Sequence, residues 1–220
     1  MDLIARLLAI DVSALSDADK TLPVVDPAVR AMLPDVRIAG PAFTVVAEDD
    51  HLPVMSALGE AQPGDVLVIA TNGGSRAVFG ELVATEANRR GLAGIVADGL
   101  CRDLRGLRAI GLPVFARGTT PQAGTAQLAR GAVRAASIGG AVAVRGDFVI
   151  GDEDGVVIIP ADKLDAVLPL AEEIQRSEGA ILEAIGQGRD LFAHTNLEEH
   201  YQKRGEGLPS TLSVAPPPSP

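Results

Sequence analysis

The sequence predicts an α/β domain with parallel strand pairing at its centre, and three patterns carry that prediction. Between residues 66 and 117, short apolar runs alternate with helix-patterned segments. Strands separated by helices form βαβ units, which pair in parallel. Beyond residue 140 the pattern becomes strand, turn, strand, turn, strand in "AVAVRGDFVIGDEDGVVIIP" (141–160), an antiparallel section hinged on Gly-Asp pairs. One long helix follows, roughly 162–186.

Taken in order, residues 3–20 read as an amphipathic helix. "VRIAGPAFTVVAED" (36–49) reads as a strand with a Gly-Pro break, and "LPVMSALGEA" (52–61) as a helix closed by the turn "QPGD". "VLVIA" (66–70) is a buried strand, and "TNGGSRAVFG" (71–80) a long glycine-containing loop. "ELVATEANRR" (81–90) is a helix stopped by Gly91. "GIVAD" (94–98) is the next strand, "RDLRGLRAI" (102–110) a short helix and "LPVFAR" (112–117) a third strand. Residues 1–204 are expected to form one domain. Residues 205–220, ending "APPPSP", are expected to be a disordered tail on composition.

The totals narrow the function. A chain of 220 residues that is 47% hydrophobic can bury one sizeable core. With 3% aromatics and no Trp, that core must be built from Ala, Val, Leu and Ile. A net charge of −10 argues against nucleic acid or an anionic membrane surface as the main partner, because both need clustered Lys and Arg. Cys101 is the one cysteine, so no intrachain disulfide can form. The start "MDLIARLLAI" lacks a basic segment before its apolar run, and no stretch of eighteen uncharged apolar residues exists. These features predict a soluble, cytoplasmic protein.

Chemistry is expected where the two βαβ units end. Glu81 opens one helix, and Arg102 and Asp103 open the next. In parallel α/β layers, loops after adjacent strands share one edge, where ligands bind. Glu81, Arg102 and Asp103 therefore converge if their strands are neighbours. The segment Gly80, Glu81, Leu82, Val83 would offer helix N-terminal N–H groups to a carboxylate, and Arg102 a planar fork. Asp103 could hold a hard cation, with water completing the shell. Acidic residues in a first helical turn are also ordinary dipole matching, and each alone would say little.

Other candidates are weaker. Cys101 has no CxxC partner and reads as packing. His51, His194 and His200 lack metal-ligand spacing and read as solvated or capping. "GDEDG" (151–155) lacks the later ligands of a calcium loop and reads as a turn. No dinucleotide, P-loop or nucleophile-elbow motif is present. Lys20, Lys163 and Lys203 all sit in polar settings, unsuited to a Schiff base, so carbonyl chemistry would need a metal. Glu178 falls within the apolar stripe of the long helix, which leaves a solvated stripe end, a helix bent at Pro169 or loosened at Gly179, or a polar cavity or subunit interface there.

The stretch "GGSRAVFGELVATEANRRGLAGIVADGLCRDLRGLRAIGLPVFARG" (73–118) resembles the core of the RraA-like family, which includes the 4-hydroxy-4-methyl-2-oxoglutarate/4-carboxy-4-hydroxy-2-oxoadipate aldolases. The likeness rests on "GEL", on "DGxxRD", and on the twenty residues between Glu81 and Arg102-Asp103. Weaker similarity extends over most of residues 10–190. The resemblance implies a β/β/α swivelling-type domain assembled as homotrimers or dimers of trimers. It implies a class II, metal-dependent pyruvate aldolase that also decarboxylates oxaloacetate. It implies Mg²⁺ or Mn²⁺ held by Asp103, a 2-oxo acid substrate contacted by Arg102 and Gly80–Val83, and a catalytic role for Glu178 across a subunit boundary. The family's acidic position is often Asp and is Glu81 here, one methylene longer. Two alternatives stay open: a non-catalytic, protein-binding regulator of ribonuclease activity, and an enzyme of the same scaffold acting on another oxo acid.

Overall fold

In a computed structural model, residues 2–127 and 132–214 are described. Helices α1 (Leu3–Ala9) and α2 (Val12–Ala18) open the chain, followed by strands β1 (Arg30–Ala31) and β2 (Ile38–Val46). Then come α3 (Leu52–Glu60), β3 (Val66–Ala70), β4 (Ala77–Phe79), α4 (Glu81–Arg89), β5 (Gly94–Asp98), β6 (Leu100–Cys101) and α5 (Leu104–Ile110). The strands β7 (Val114–Ala116), β8 (Gly118–Thr119), β9 (Ala135–Ile138), β10 (Ala141–Val144), β11 (Phe148–Asp152) and β12 (Gly155–Ile159) complete the β structure. Helices α6 (Leu164–Gly186) and α7 (Leu197–Gly205) close the chain.

A seven-stranded sheet in the order β1-β7-β5-β3-β2-β11-β12 forms the middle layer. Its centre, β2, β3, β5 and β7, is parallel, and β11 and β12 add antiparallel at one side. All five residues of β3 are buried because both faces are covered. Leu67 and Ile69 pack with Val54, Ala84 and Leu107 of the helices α3, α4 and α5. Val66 and Val68 point the other way, to Ile138, Ala141 and Ala143 of the β9–β10 hairpin. The layers are therefore hairpin, sheet and helices, the β/β/α arrangement expected. Burying each Val, Leu or Ile side chain of this kind stabilises by roughly 1.5–3 kcal/mol.

The antiparallel side has its own cover. Leu7, Leu15, Val167, Leu168 and Ala171 from α1, α2 and α6 pack against Ile150, Val157 and Ile159. "GDEDG" is the turn between β11 and β12, as expected. Its Asp152 is buried and accepts hydrogen bonds from Val12 N (2.9 Å) and Asp154 N (2.9 Å), a structural use of the carboxylate.

Four details differ from the sequence reading. Residues 3–20 form two helices, because the chain turns extended at Ile10 and Asp11. The Gly-Pro pair at 40–41 does not break β2, because Gly40 packs under the Gly64 carbonyl, where a Cβ would not fit. The 71–80 loop contains strand β4. In α6, Ile181 and Ala184 stay buried but Leu182 is 68% exposed, so the apolar stripe drifts off the core and Glu178 lies on the exposed side. In the segment expected to be a tail, Ser213 N donates to Asn196 Oδ1 (2.7 Å), while residues 215–220 lie outside the described residues.

One ion pair makes the start of α6 pH-sensitive. Lys163 Nζ lies 2.7 Å from Asp19 Oδ2 and bridges to the end of α2. Hydrogen bonds from Lys163 and then Thr21 pull the Asp19 carboxyl down to about 2. A lowered carboxylate stabilises the fold above its unfolded value near 4 and loses that contribution as pH falls toward about 2. Asp19→Asn should melt below the wild type at pH 7, with the gap closing between about pH 4 and 2. A gap independent of pH in thermal melts would show that the pair does not act through its charge.

Candidate active site

The parallel strands β2, β3, β5 and β7 all end at one edge, and the segments leaving them build one cavity. After β3, β5 and β7 the chain adds the short strands β4, β6 and β8, which pair with one another in a small three-stranded sheet, β4-β6-β8. Phe79 sits opposite Cys101, and Arg102 N donates to Phe79 O at 3.1 Å. This pairing carries Gly80 and the start of α4 to the side of Arg102 and Asp103. The convergence expected of the two helix starts is present, by way of strands too short to read from sequence.

Asp103 holds the centre of this arrangement. Its backbone is left-handed (φ +61°), a region that non-glycine residues enter at a cost of about 1–2 kcal/mol and that Asp tolerates better than most. Asp103 precedes α5 but makes no side-chain capping bond there. Its Oδ2 turns instead to Glu81 N (3.3 Å) and Arg102 Nε (3.4 Å), while Oδ1 accepts no hydrogen bond among the described residues. Both side chains of the Arg102–Asp103 pair are 41% exposed. Gly80 is required by this packing: a Cβ there would lie 2.5 Å from Asp103 Oδ2 and 2.8 Å from Arg102 Cγ.

The cavity holds about 290 Å³, enough for a small organic acid. Gly80, Leu82, Val83, Arg102 and Asp103 line it, together with Met55 and Leu58 of α3, Phe79, and Glu86 and Arg90 further along α4. Leu82 and Val83 belong to the first turn of α4, where backbone N–H groups have no partner within the helix. Glu86 is engaged by Arg89 through two 2.6 Å hydrogen bonds. Arg90 donates to Gly59 O (2.9 Å) and so ties α4 to the end of α3.

Two expected site residues lie apart from this cavity within one chain. Glu81 is exposed, and its carboxylate rests over Gly106 of α5, where an added Cβ would come within 2.5 Å of Oε2. Its backbone N–H, not its carboxylate, faces Asp103. Glu178 is exposed on α6. Conversely, His51 lines the cavity from the loop after β2, a position that sequence patterning gave no reason to connect with Arg102. Cys101 is fully buried, and desolvation pushes its thiol up to about 11, so it packs as a neutral group.

A metal would find one protein ligand here. Among the described residues no group of three or more His, Cys, Asp or Glu is arranged to hold an ion. Asp103, with Oδ1 unbonded beside the cavity, suits a hard cation that takes its remaining ligands from water and from a bound acid. Among the described residues no helix is long and apolar enough to cross a membrane.

Three comparisons bear on this site. The family model described as "Aldolase/RraA", of the RraA-like family, matches residues 12–158. A protein of Halalkalibacterium halodurans named "Putative 4-hydroxy-4-methyl-2-oxoglutarate aldolase" is 37% identical over 188 residues, which is 84% of this chain and 89% of that protein. Among solved structures, an uncharacterized protein from Pseudomonas syringae pv. tomato superposes with a TM-score of 0.77 at 28% identity, covering 85% of this chain and 93% of that one. The RNA-processing inhibitor RraA from Thermus thermophilis gives a TM-score of 0.63 at 28% identity, covering 68% of this chain and 92% of that one.

Proposed function

Because the chain belongs to the RraA-like family, shown by the match over residues 12–158 and the 37% identical relative, we propose that it is a divalent-metal-dependent aldolase that cleaves 4-hydroxy-2-oxo acids to pyruvate. The observation that carries this reading is the meeting of Arg102, Asp103 and the start of α4 in one cavity. The N–H groups of Leu82 and Val83 receive the substrate carboxylate, aided by the positive end of the helix dipole. Arg102 faces the 2-oxo group and balances the negative charge that grows there as the carbon–carbon bond breaks. Asp103 holds Mg²⁺ or Mn²⁺, which when bound polarises the substrate's carbonyl as a Lewis acid. Oxaloacetate decarboxylation leaves the same pyruvate enolate and belongs to the same site.

A panel of 4-hydroxy-2-oxo acids, with Mg²⁺, Mn²⁺ or chelator and coupled pyruvate detection, tests the reading. Metal-dependent pyruvate release is the expected result. Purified protein that releases none from any member of the panel, or from oxaloacetate, would sink it. That outcome would favour the rival, a protein-binding regulator, to which the likeness to the RNA-processing inhibitor points.

The reading extends to assembly as a homotrimer or dimer of trimers. Leu82 is 83% exposed and Met55 54% exposed beside the cavity, an apolar rim suited to cover by a second copy. Glu178, exposed on α6, is then the glutamate supplied to a neighbour's site. Light scattering should give a trimer or larger. Glu178→Gln should slow turnover by about tenfold or more without changing that mass, as for loss of one group that positions substrate or water at the reacting atoms. A clean monomer that is fully active would exclude an interfacial role for Glu178.

A further inference from the structure

We infer that His51 is the proton carrier of aldol cleavage in this chain, a proposal that rests on the aldolase reading of the same cavity. Retro-aldol cleavage needs a base for the C4 hydroxyl and an acid for C3 of the enolate left behind. Glu81, the acidic position of the resemblance, has its carboxylate over Gly106 and is not among the residues lining the cavity. His51 does line it, with Arg102 and Asp103.

The imidazole is uncommitted. His51 sits at the N-cap of α3, yet its side chain makes no capping bond and no hydrogen bond among the described residues. Its backbone is fixed from both directions: His51 N donates to Thr125 O (2.9 Å), and Met55 N donates to His51 O (3.1 Å). The ring is half-buried. The loop is thus anchored while the ring is left for the cavity.

Most charged groups around it hold other partners; among the described residues the exceptions are Asp103 Oδ1, Arg90 Nε and the exposed Glu48 of the same loop. In its own loop, Asp49 accepts from Arg76 N (2.7 Å), and buried Asp50 accepts from Leu52 N (2.8 Å), Thr125 Oγ1 (2.6 Å) and Gln127 N (2.7 Å). On α4, Glu86 is held by Arg89, and Arg90 caps α3 at Gly59. Ahead of α5, Arg102 and Asp103 face each other. The segment 123–127 carries no charged side chain. The His51 ring lines the cavity without a hydrogen bond among the described residues, and a neutral imidazole carries both a nitrogen that can accept a proton and an N–H that can give one back.

The steps balance without a further reactant. A ring nitrogen of His51 takes the C4 hydroxyl proton, the C3–C4 bond breaks, and its electron pair passes into the enolate of pyruvate. The leaving fragment departs as a carbonyl compound. The imidazolium then returns the proton to C3, giving pyruvate and neutral His51. Decarboxylation of oxaloacetate has no hydroxyl proton to remove, so its bond-breaking step does not need this base.

The test compares wild type and His51→Gln on a cleaved 4-hydroxy-2-oxo acid and on oxaloacetate, in the assembled, metal-supplemented protein. Removing a positioned acid–base group should lower aldol kcat by about 10²-fold or more. Decarboxylation should fall by no more than a few-fold, and added imidazole should restore part of the lost aldol rate. Histidine ring NMR provides a readout independent of turnover: oxalate, a mimic of pyruvate enolate, should move the His51 resonances and leave those of His194 and His200. Equal losses on both substrates, unchanged aldol turnover in His51→Gln, or a His51 ring indifferent to oxalate would each overturn the assignment. Wild type that releases pyruvate from no aldol substrate would overturn the aldolase reading itself.

Discussion

Asp103→Ala is expected to lower aldol turnover by about a thousandfold or more while the fold persists, since a Lewis-acid cation contributes several kcal/mol of charge stabilisation. The loss has one cause. Asp103 keeps one carboxylate oxygen unbonded among the described residues beside Arg102, and among them no cluster of three ligands could replace it. The fold persists because the side chain is 41% exposed and its hydrogen bond from Glu81 N is 3.3 Å long. Alanine at φ +61° adds a modest local penalty, about 1–2 kcal/mol. Asp103→Asn separates the two effects, because Asn accepts the left-handed backbone and still lacks the charge. Both variants should melt near the wild type and fail to bind Mn²⁺ by electron paramagnetic resonance. Turnover by either at the wild-type rate in trace metal would remove the metal from the mechanism.

Arg102→Lys should depress aldol cleavage and oxaloacetate decarboxylation together, by roughly tenfold to a thousandfold, the range for loss of one transition-state donor. Lysine keeps the charge but loses the planar fork that bridges two oxygens. Both reactions place negative charge on the same enolate oxygen, so a group stabilising that charge acts on both. Arg102 is free to do so, because its Nε lies 3.4 Å from Asp103 Oδ2, and its N–H bond to Phe79 O is a backbone one that survives substitution. Steady-state assays of both substrates, with Mg²⁺ and with chelator, decide the matter. Loss of aldol cleavage beside unchanged decarboxylation would mean that the two reactions do not share Arg102, and the common enolate would have to be abandoned.

Arg102 and His51 differ in how far the sequence alone could place them. Arg102 and Asp103 could be placed from the order of elements, because apolar runs of five residues such as 66–70 and 94–98 fix which loops share an edge. Helix α6 was legible for the same reason: its 23 residues provide a long periodic signal. Strands β4, β6 and β8 were not, since two or three residues have no period and are defined by their partners. The break between α1 and α2 was missed because its apolar periodicity continues through Ile10 and Val12, both buried. The side-chain direction of Glu81 depended on the empty space above Gly106, twenty-five positions away and on another helix. His51 belongs to the loop after β2, and no local pattern links it to a motif fifty residues later.

The small sheet β4-β6-β8 sets a rule for how this chain can tolerate changes of length. Phe79 faces Cys101, and Arg102 N reaches Phe79 O, so the two halves of the cavity are clamped to each other at the ends of strands. Residues inserted at Gly91, the exposed turn after α4, would be taken up at the far edge of the sheet, away from the clamp. One residue inserted between Asp98 and Arg102 would instead shift the strand by a step and turn the arginine to the opposite face. Loop-length variation in this protein should therefore be permitted at one end of the βα units and forbidden at the other.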